Sequence, residues 1–169
     1  NTKCVFLETP SNPTLDVIDL EAVCGIAKTA GANVVVDNIF ATPILQRPLN
    51  YGADVIVYSG TKHMDGQGRV LGGAIMSTRK FKEELLKPFL RHTGPSISPF
   101  NAWVLLKGLE TLKLRVEAQS HAAQRIAETL SSLKGVSRVL YPHLDSHPQA
   151  ALSRKQMKLG GTMVTFEVE

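Results

Sequence analysis

The stretch VVVDNIFATPILQRPLNYGADVIVYSGTKH, residues 34–63, decides the fold. It contains two apolar runs, and polar or charged residues follow each of them: Asp37 closes the first run, and Lys62 comes shortly after the second. Continuous rather than alternating hydrophobicity is typical of strands that are buried on both faces of a parallel sheet. The stretch therefore predicts two buried strands whose carboxyl ends present charged side chains.

The sequence before and after this stretch continues the pattern of strands and helices. Residues 4–8 form a short apolar run, and residues 74–77 form another. Between the first two predicted strands, apolar residues at helical spacing predict a helix that Asp19 caps and Gly31 ends. The repeated strand–helix–strand pattern predicts an α/β fold with a mostly parallel sheet flanked by helices.

The second half of the chain is largely helical by pattern. Residues 79–92 predict a helix that Pro88 kinks or ends. Residues 98–135 predict a long helical stretch, with Ser98 as its cap and Gly108 as an interruption. We therefore expect a helical link between the α/β part and whatever follows it.

The last residues predict the beginning of a smaller α+β unit. We divide the chain into residues 1–112, part of a larger domain, and residues 113–169, a linking helix and the incomplete start of a C-terminal domain. The chain begins at Asn1 rather than Met and stops within a predicted strand. We therefore expect it to be an excerpt of a longer polypeptide.

Composition excludes several classes of protein. Hydrophobic residues make up 43% of the 169 residues and charged residues 20%, which is typical of globular proteins. The net charge of +4 is spread along the chain and gives no reason to expect nucleic-acid binding. No apolar run is long enough to cross a membrane, and Cys4 and Cys24 lack metal-ligand spacing. We expect a soluble cytoplasmic protein without a metal site, whose two thiols are free and buried.

Aromatic and histidine side chains give weaker signals. Phe100 and Trp103 lie in an apolar helical segment, where core packing is the expected role. His63 directly follows Lys62, but side chains of adjacent residues usually point in different directions. We expect His63 to lie beside the chemistry, with a direct role in proton transfer as the alternative.

Asp37 and Lys62 suggest a chemistry when they are taken together. Ligands of doubly wound α/β sheets bind at the carboxyl ends of the strands, where both residues lie. An aspartate there can keep a heterocyclic nitrogen protonated, and a lysine can form a Schiff base with a carbonyl group. Pyridoxal phosphate requires both groups. Ser59 and Thr61, with the backbone N–H groups around them, suit its phosphate.

Other interpretations of the same residues remain open. An isolated aspartate is commonly a cap or a loop acid, and a lysine in a glycine-rich loop is commonly a surface residue. The sequence GQGRVLGG, residues 66–73, offers a nucleotide-binding module as an alternative, although its spacing differs from the dinucleotide fingerprint. A non-catalytic fragment that keeps the fold without the cofactor is a further alternative.

Four segments resemble the pyridoxal-phosphate enzymes of cysteine and methionine metabolism, and the resemblance runs through nearly the whole chain. The resemblance implies pyridoxal 5'-phosphate as cofactor and fold type I, the aspartate-aminotransferase-like fold. The segments are ETPSNPTLDVIDL (8–20), VVDNIFATP (35–43), YSGTKHMDGQGRVLGG (58–73) and LLKGLETLKLR (105–115).

The same resemblance implies roles for individual residues. It makes Lys62 the catalytic Schiff-base lysine and Asp37 the partner of the pyridinium nitrogen. Ser59 and Thr61 become phosphate ligands. Asn12 is implied to lie beside the phenolic oxygen of the cofactor and the carboxylate of the substrate.

Within the family, residues 61–73 and 92–112 look most similar to the O-succinylhomoserine sulfhydrylases. That likeness implies γ-replacement on O-succinylhomoserine with sulfide, giving homocysteine for methionine biosynthesis. Cystathionine γ-synthase and the methionine or cystathionine γ-lyases are the alternatives, since the sequence does not determine the ester, or whether sulfide, cysteine or water is the acceptor.

Two features qualify the resemblance. Ile39 stands where the family usually has Thr, and the family's remaining active-site residues are implied to lie outside this stretch. We therefore expect the 169-residue piece to be inactive alone, and its full-length parent to be a homodimer or homotetramer that acts on a small amino-acid substrate.

Overall fold

A four-stranded sheet forms the centre of the fold in the computed structural model, which describes all 169 residues. Its strands are β1 (Cys4–Glu8), β2 (Asn33–Asp37), β3 (Val55–Ser59) and β4 (Gly73–Ser77), in that spatial order. The first three strands are parallel, and β4 runs antiparallel to β3. The expected α/β fold with a mostly parallel sheet is confirmed.

Helices and a second, smaller sheet surround the main sheet. The second sheet pairs β5 (Val136–Leu140) with β6 (Thr165–Val168) in antiparallel orientation. None of the helices combines the length and the hydropathy needed to cross a bilayer. The helices are α1 (Leu20–Thr29), α2 (Thr42–Leu45), α3 (Arg79–Phe81), α4 (Lys87–Thr93), α5 (Pro99–Glu110), α6 (Leu112–Ser131) and α7 (Ala150–Gln156), with a 3₁₀ turn at Pro48–Tyr51 and π-helical turns at Gly60–Met64 and Lys82–Leu86.

Helix α1 packs on β2 and covers one face of the sheet. The Asp19 carboxylate accepts a hydrogen bond from the backbone N–H of Ala22 (3.0 Å), as the capping prediction requires. Leu20 on the helix and Val34 and Val36 on β2 are almost completely buried in the same cluster. The face of β2 toward α1 is therefore in the interior, and Val35 on the opposite face is half-buried.

A second core connects the two ends of the chain. Leu112 and Val116 of α6 pack against Leu45 of α2 and against Met157, which follows α7. All four side chains are at most 5% exposed. The segment after β2 is therefore packed against residues that lie 67 to 112 positions further along the chain. The division into residues 1–112 and 113–169 stays a prediction.

The helical breaks lie elsewhere than expected. Helix α5 continues through Gly108 to Glu110, and the break falls at Thr111, so the expected interruption at Gly108 was wrong. Gly108 is needed for a different reason: a Cβ atom there would lie 2.1 Å from the carbonyl oxygen of Met64. Pro88 lies in the first turn of α4, directly after a π-helical turn, a position that tolerates proline.

Two expectations about burial were also wrong. Phe100 and Trp103 are 65% and 56% exposed, because the buried face of α5 is formed by Val104 and Gly108 on the other side. Cys4 is exposed because it lies on β1, an edge strand, whereas Cys24 is buried as expected.

Candidate functional site

The carboxyl ends of the three parallel strands meet at one edge of the sheet. Glu8 at the end of β1 is paired in register with Asp37 at the end of β2, and Asp37 is paired with Val57 of β3. Ser59 ends β3, and the π-helical turn Gly60–Met64, here called the lysine turn, follows at once. The structure thus places the predicted residues Asp37, Ser59, Thr61 and Lys62 at the same edge.

Asp37 is a partly buried acid without a cationic partner. Its Oδ1 accepts a hydrogen bond from the backbone N–H of Ile39 (3.0 Å), and none of the ion pairs of the chain includes it. Burial raises the pKa of Asp37, and the charge of Glu8 adds to the rise against the lowering effect of the Ile39 hydrogen bond. A protonated ligand atom would relieve this unfavourable charge. The position suits a pyridinium nitrogen.

Lys62 lies exposed in the lysine turn, and it too has no ion-pair partner. Its backbone (φ −85°, ψ −119°) departs from helical geometry, while the residues around it form the turn. Hydrogen bonds close the turn on both sides of the lysine, from Asp65 N–H to Gly60 O (2.9 Å) and from Gly66 N–H to Lys62 O (2.7 Å). A free amine is thereby presented on a fixed backbone.

The start of the lysine turn lies against the residues that lead into β4. Gly60 donates its N–H to Gly72 O (2.7 Å), and a Cβ atom on Gly60 would lie 2.9 Å from that oxygen. Only glycine allows this approach. The Gly60 N–H is therefore already used within the protein, and the hydroxyl groups of Ser59 and Thr61 are the phosphate donors that the turn offers.

The glycine-rich segment after the turn is folded around an internal carboxylate. Asp65 is buried, and its side chain accepts hydrogen bonds from the backbone N–H (2.5 Å) and Nε (2.8 Å) of Arg69. Burial raises the pKa of Asp65, but the hydrogen bonds and charge of Arg69 outweigh that effect, so the pKa is lowered overall. Because this anion occupies a backbone amide of residues 66–73, the segment is poorly suited to hold a phosphate, which disfavours the nucleotide-binding alternative.

Asn12 lies in the exposed turn that follows β1, at the same edge of the sheet. Its backbone N–H donates to Glu8 Oε2 (3.1 Å), which ties the turn to the strand end next to Asp37. The hydroxyl of Thr165 on β6 donates to Pro13 O (2.7 Å). The turn is thus fixed from both ends of the chain, and the side chain of Asn12 is free for a ligand.

A buried network of side-chain amides holds Asn38, the residue that follows Asp37. Asn38 Nδ2 donates to Tyr58 Oη (2.9 Å), and Gln46 Nε2 donates to Asn38 Oδ1 (2.8 Å). Gln156 Nε2 in turn donates to Gln46 Oε1 (2.9 Å). The residue after Asp37 is therefore linked through two side chains to α7.

His63, the neighbour of Lys62, contacts the segment before β6 with its imidazole. Its Nε2 lies 3.1 Å from Thr162 Oγ1. Burial lowers the pKa of His63, and the positive charges of Arg115 and Lys62 lower it further. A neutral imidazole at pH 7 follows.

Three residues around the site were missed in the sequence. Glu8 lies at a strand end and could have been found by the same rule that identified Asp37. Arg115 and Thr162 contact the lysine turn from 51 and 99 residues away in sequence, at Met64 and His63 respectively. No local pattern marks such contacts.

Other parts of the surface offer different features. A groove of about 1150 Å³ is lined by β4, α4, α5 and the segments that join them, and it contains none of the predicted site residues. No group of three or more His, Cys, Asp or Glu side chains is arranged to hold a metal ion.

Comparison with known proteins identifies relatives along the whole chain. Residues 1–169 match the family described as Cys/Met metabolism PLP-dependent enzyme. The chain is 56% identical to O-succinylhomoserine sulfhydrylase of Mycobacterium tuberculosis (99% of the chain, 41% of the relative) and 48% identical to that of Pseudomonas aeruginosa (100% and 42%). It is 43% identical to L-methionine gamma-lyase of Porphyromonas gingivalis (100% and 43%). The chain thus spans about two fifths of the length of these curated relatives.

A solved structure matches the fold as well. The crystal structure of metB from Corynebacterium glutamicum superposes with a TM-score of 0.94 at 41% identity, over 99% of this chain and 44% of that one.

Proposed function

We propose, for a chain that belongs to the Cys/Met metabolism PLP-dependent enzyme family, that the edge formed by the ends of β1, β2 and β3 holds pyridoxal phosphate for γ-replacement on O-succinylhomoserine. The observation that carries the proposal is the pair of Asp37 and Lys62 at one sheet edge, each without an ionic partner in the protein. Sulfide is the proposed nucleophile, and homocysteine the product.

The residues at this edge fit the cofactor. Asp37 has a raised pKa and no cation nearby, and thus favours a ligand that brings a proton. The exposed amine of Lys62 is available to bond the aldehyde, and the hydroxyl groups of Ser59 and Thr61 flank Gly60 where a phosphate would be held. When bound, pyridoxal phosphate supplies an electron-withdrawing ring that stabilises negative charge on the α-carbon of an amino acid.

The chain's own residues have separate tasks in this proposal. Asp37 keeps the ring nitrogen protonated throughout. Lys62 binds the cofactor and then, as a free amine, moves protons at the α- and β-carbons of the substrate. Asn12 orients the substrate carboxylate. The amide network from Asn38 to Gln156 holds the segment of Asp37 in place.

The choice of substrate is supported by the names of relatives. The two relatives named O-succinylhomoserine sulfhydrylase are more similar to this chain, at 56% and 48% identity, than the relative named L-methionine gamma-lyase, at 43%. Sulfide is small and, unlike cysteine, carries no carboxylate. The site therefore needs no second group that binds a carboxylate. We further propose that the protein is a cytoplasmic homodimer or homotetramer that uses no nucleic acid or membrane.

Borohydride reduction tests the role of Lys62. The protein expressed from its complete reading frame is loaded with pyridoxal phosphate and reduced, and the labelled peptide is mapped. We expect the label on Lys62 and its loss in Lys62→Ala. A label on Lys80 or Lys107, or none, overturns the cofactor assignment.

Competition between nucleophiles tests the reaction. Sulfide and cysteine are supplied at equal concentration with O-succinylhomoserine, and the products are quantified. We expect mainly homocysteine. Mainly cystathionine identifies a γ-synthase instead, and 2-oxobutyrate with ammonia formed at a comparable rate without any nucleophile identifies a γ-lyase.

A further inference from the structure

The lysine turn contacts the junction of α5 and α6 through one arginine. Arg115, in the first turn of α6, donates from Nε to Thr111 Oγ1 (3.0 Å) and from one terminal nitrogen to Gly108 O (2.8 Å). The same nitrogen lies 3.5 Å from Met64 O, at the end of the lysine turn. One guanidinium thus connects the break between two helices with the turn that carries Lys62.

The turn has little freedom to move relative to this junction. A Cβ atom on Gly108 would lie 2.1 Å from Met64 O, so the turn rests directly on the backbone of α5. A Cβ atom on Gly66 would lie 2.2 Å from the second terminal nitrogen of Arg115. The guanidinium therefore fills the space next to Gly66, where the chain leaves the lysine turn.

That second nitrogen is buried without an acceptor. Buried donors without partners are rare in native proteins, and each calls for an explanation. A side chain selected only to join α5 to α6 would need the bonds to Thr111 and Gly108 alone. The contacts of the guanidinium with Gly66 and Met64 indicate that it also holds the lysine turn in place.

The charges around the turn agree with this arrangement. Lys62, His63, Arg69 and Arg115 are the basic groups around it, and Asp65, the acid that directly follows the turn, is engaged by Arg69. Burial and the charges of Arg115 and Lys62 lower the pKa of His63, whose ring nitrogen meets Thr162 instead. Arg115 takes part in no ion pair, and its bonded donors are used on the Thr111 hydroxyl and on the carbonyl oxygens of Gly108 and Met64.

We propose that Arg115 is a positioning residue, which fixes the backbone of residues 60–66 so that the Lys62 amine is held where it captures pyridoxal phosphate. The inference rests on the proposed function of Lys62. Arg115 touches neither substrate nor cofactor in this assignment. It acts on the backbone two to four residues after the lysine.

Four variants of the protein expressed from its complete reading frame test the inference, and one of them, Arg115→Ala, leaves space for added guanidinium. Arg115→Met removes the charge and every hydrogen bond, and Arg115→Lys keeps the charge but not the planar fork. Arg125→Met removes an arginine from the exposed side of the same helix and is the matched control. For each variant, hydrogen exchange is measured peptide by peptide on the cofactor-free protein, and the rate of borohydride-trapped labelling is measured after addition of pyridoxal phosphate.

We expect Arg115→Met to accelerate exchange in residues 60–66 by about tenfold, the order that follows from losing a hydrogen bond to a charged donor. Peptides of β2 and β3 should keep their protection. Labelling of Lys62 should slow by a similar factor, Arg115→Lys should recover part of it, and added guanidinium should recover part of it in Arg115→Ala. Arg125→Met should behave as the wild type.

The outcomes separate this inference from the proposed function. Wild-type labelling at Lys62 together with an Arg115→Met variant that matches Arg125→Met overturns the positioning role and leaves the cofactor assignment intact. Faster exchange throughout the protein, without rescue by lysine or guanidinium, also overturns it, because Arg115 then only stabilises the fold. Local exchange without any wild-type label at Lys62 overturns the cofactor assignment and, with it, the capture role.

Discussion

Gly108→Ala should damage the site far more than it damages the fold. The added methyl group would lie 2.1 Å from Met64 O, whereas ordinary contacts begin at 3.4 Å, so the lysine turn or helix α5 must move by 1.3 Å. Both partners are backbone, and neither can rotate out of the way. The movement is therefore transmitted to Lys62, two residues before Met64.

Two opposing effects decide the stability of this variant. Alanine stabilises a helix interior by about 1 kcal/mol relative to glycine. Overpacking costs about 1–3 kcal/mol. The free energy of unfolding should therefore fall by no more than about 2 kcal/mol on these figures. A displacement of about 1 Å at a catalytic group can nevertheless cost about a hundredfold in rate, so we expect a loss of that order in homocysteine formation.

Gly25→Ala is the matched control, because Gly25 lies within α1 and a Cβ atom there would meet nothing within 4 Å. We expect this variant to raise the free energy of unfolding by about 0.5–1 kcal/mol with unchanged turnover. Urea midpoints, the rate of Lys62 labelling and homocysteine production are compared. If Lys62 is labelled as rapidly in Gly108→Ala as in Gly25→Ala, and turnover is the same, the close approach between α5 and the lysine turn does not affect function.

Three further predictions follow from the electrostatics and the buried network. Asp37→Asn should lower turnover by orders of magnitude while raising the stability of the cofactor-free protein at pH 7. Because the pKa of Asp37 is raised, this gain in stability should shrink as the pH falls through that pKa, and a difference in thermal midpoint from wild type that stays constant between pH 7 and 4 would contradict it. In His63→Gln, the thermal midpoint should decrease less as the pH falls below about 6.5, because His63 takes up a proton less readily in the folded than in the unfolded state. An equally small decrease in His121→Gln, on the exposed side of α6, would refute the assignment to His63. Gln156→Leu should destabilise the protein by about 1–3 kcal/mol, measured by urea unfolding, because it removes the buried partners of the Leu20 N–H and of the side-chain oxygen Oε1 of Gln46. An unchanged urea midpoint would show that the network adds nothing to stability.

The sequence by itself determined the sheet and the strand-end residues, because both depend on patterns within a few positions. The continuous valines of β2 predict a strand covered on both faces, and the residue that ends such a strand lies at the carboxyl edge of the sheet. Asp37 and Ser59 were placed in this way, and Lys62 and Thr61 follow from the turn directly after β3. The caps at Asp19 and Ser98 were predictable because they involve a single turn of helix.

Only the tertiary structure decided what each helix face packs against. Gly108 looked like a helix breaker, but its lack of a side chain serves the contact with Met64, 44 residues earlier in the chain. Phe100 and Trp103 looked like core residues, because helical periodicity gives spacing and not the identity of the neighbouring surface.

The same limit applies to the support of the site. Arg115, Thr162 and Gln156 reach the lysine turn or the segment of Asp37 from distant parts of the chain, through hydrogen bonds that no local spacing encodes. Local sequence determines which groups are presented at a strand end, because that depends on strand geometry alone. How firmly those groups are held depends on side chains brought together by folding, and only the assembled structure contains that information.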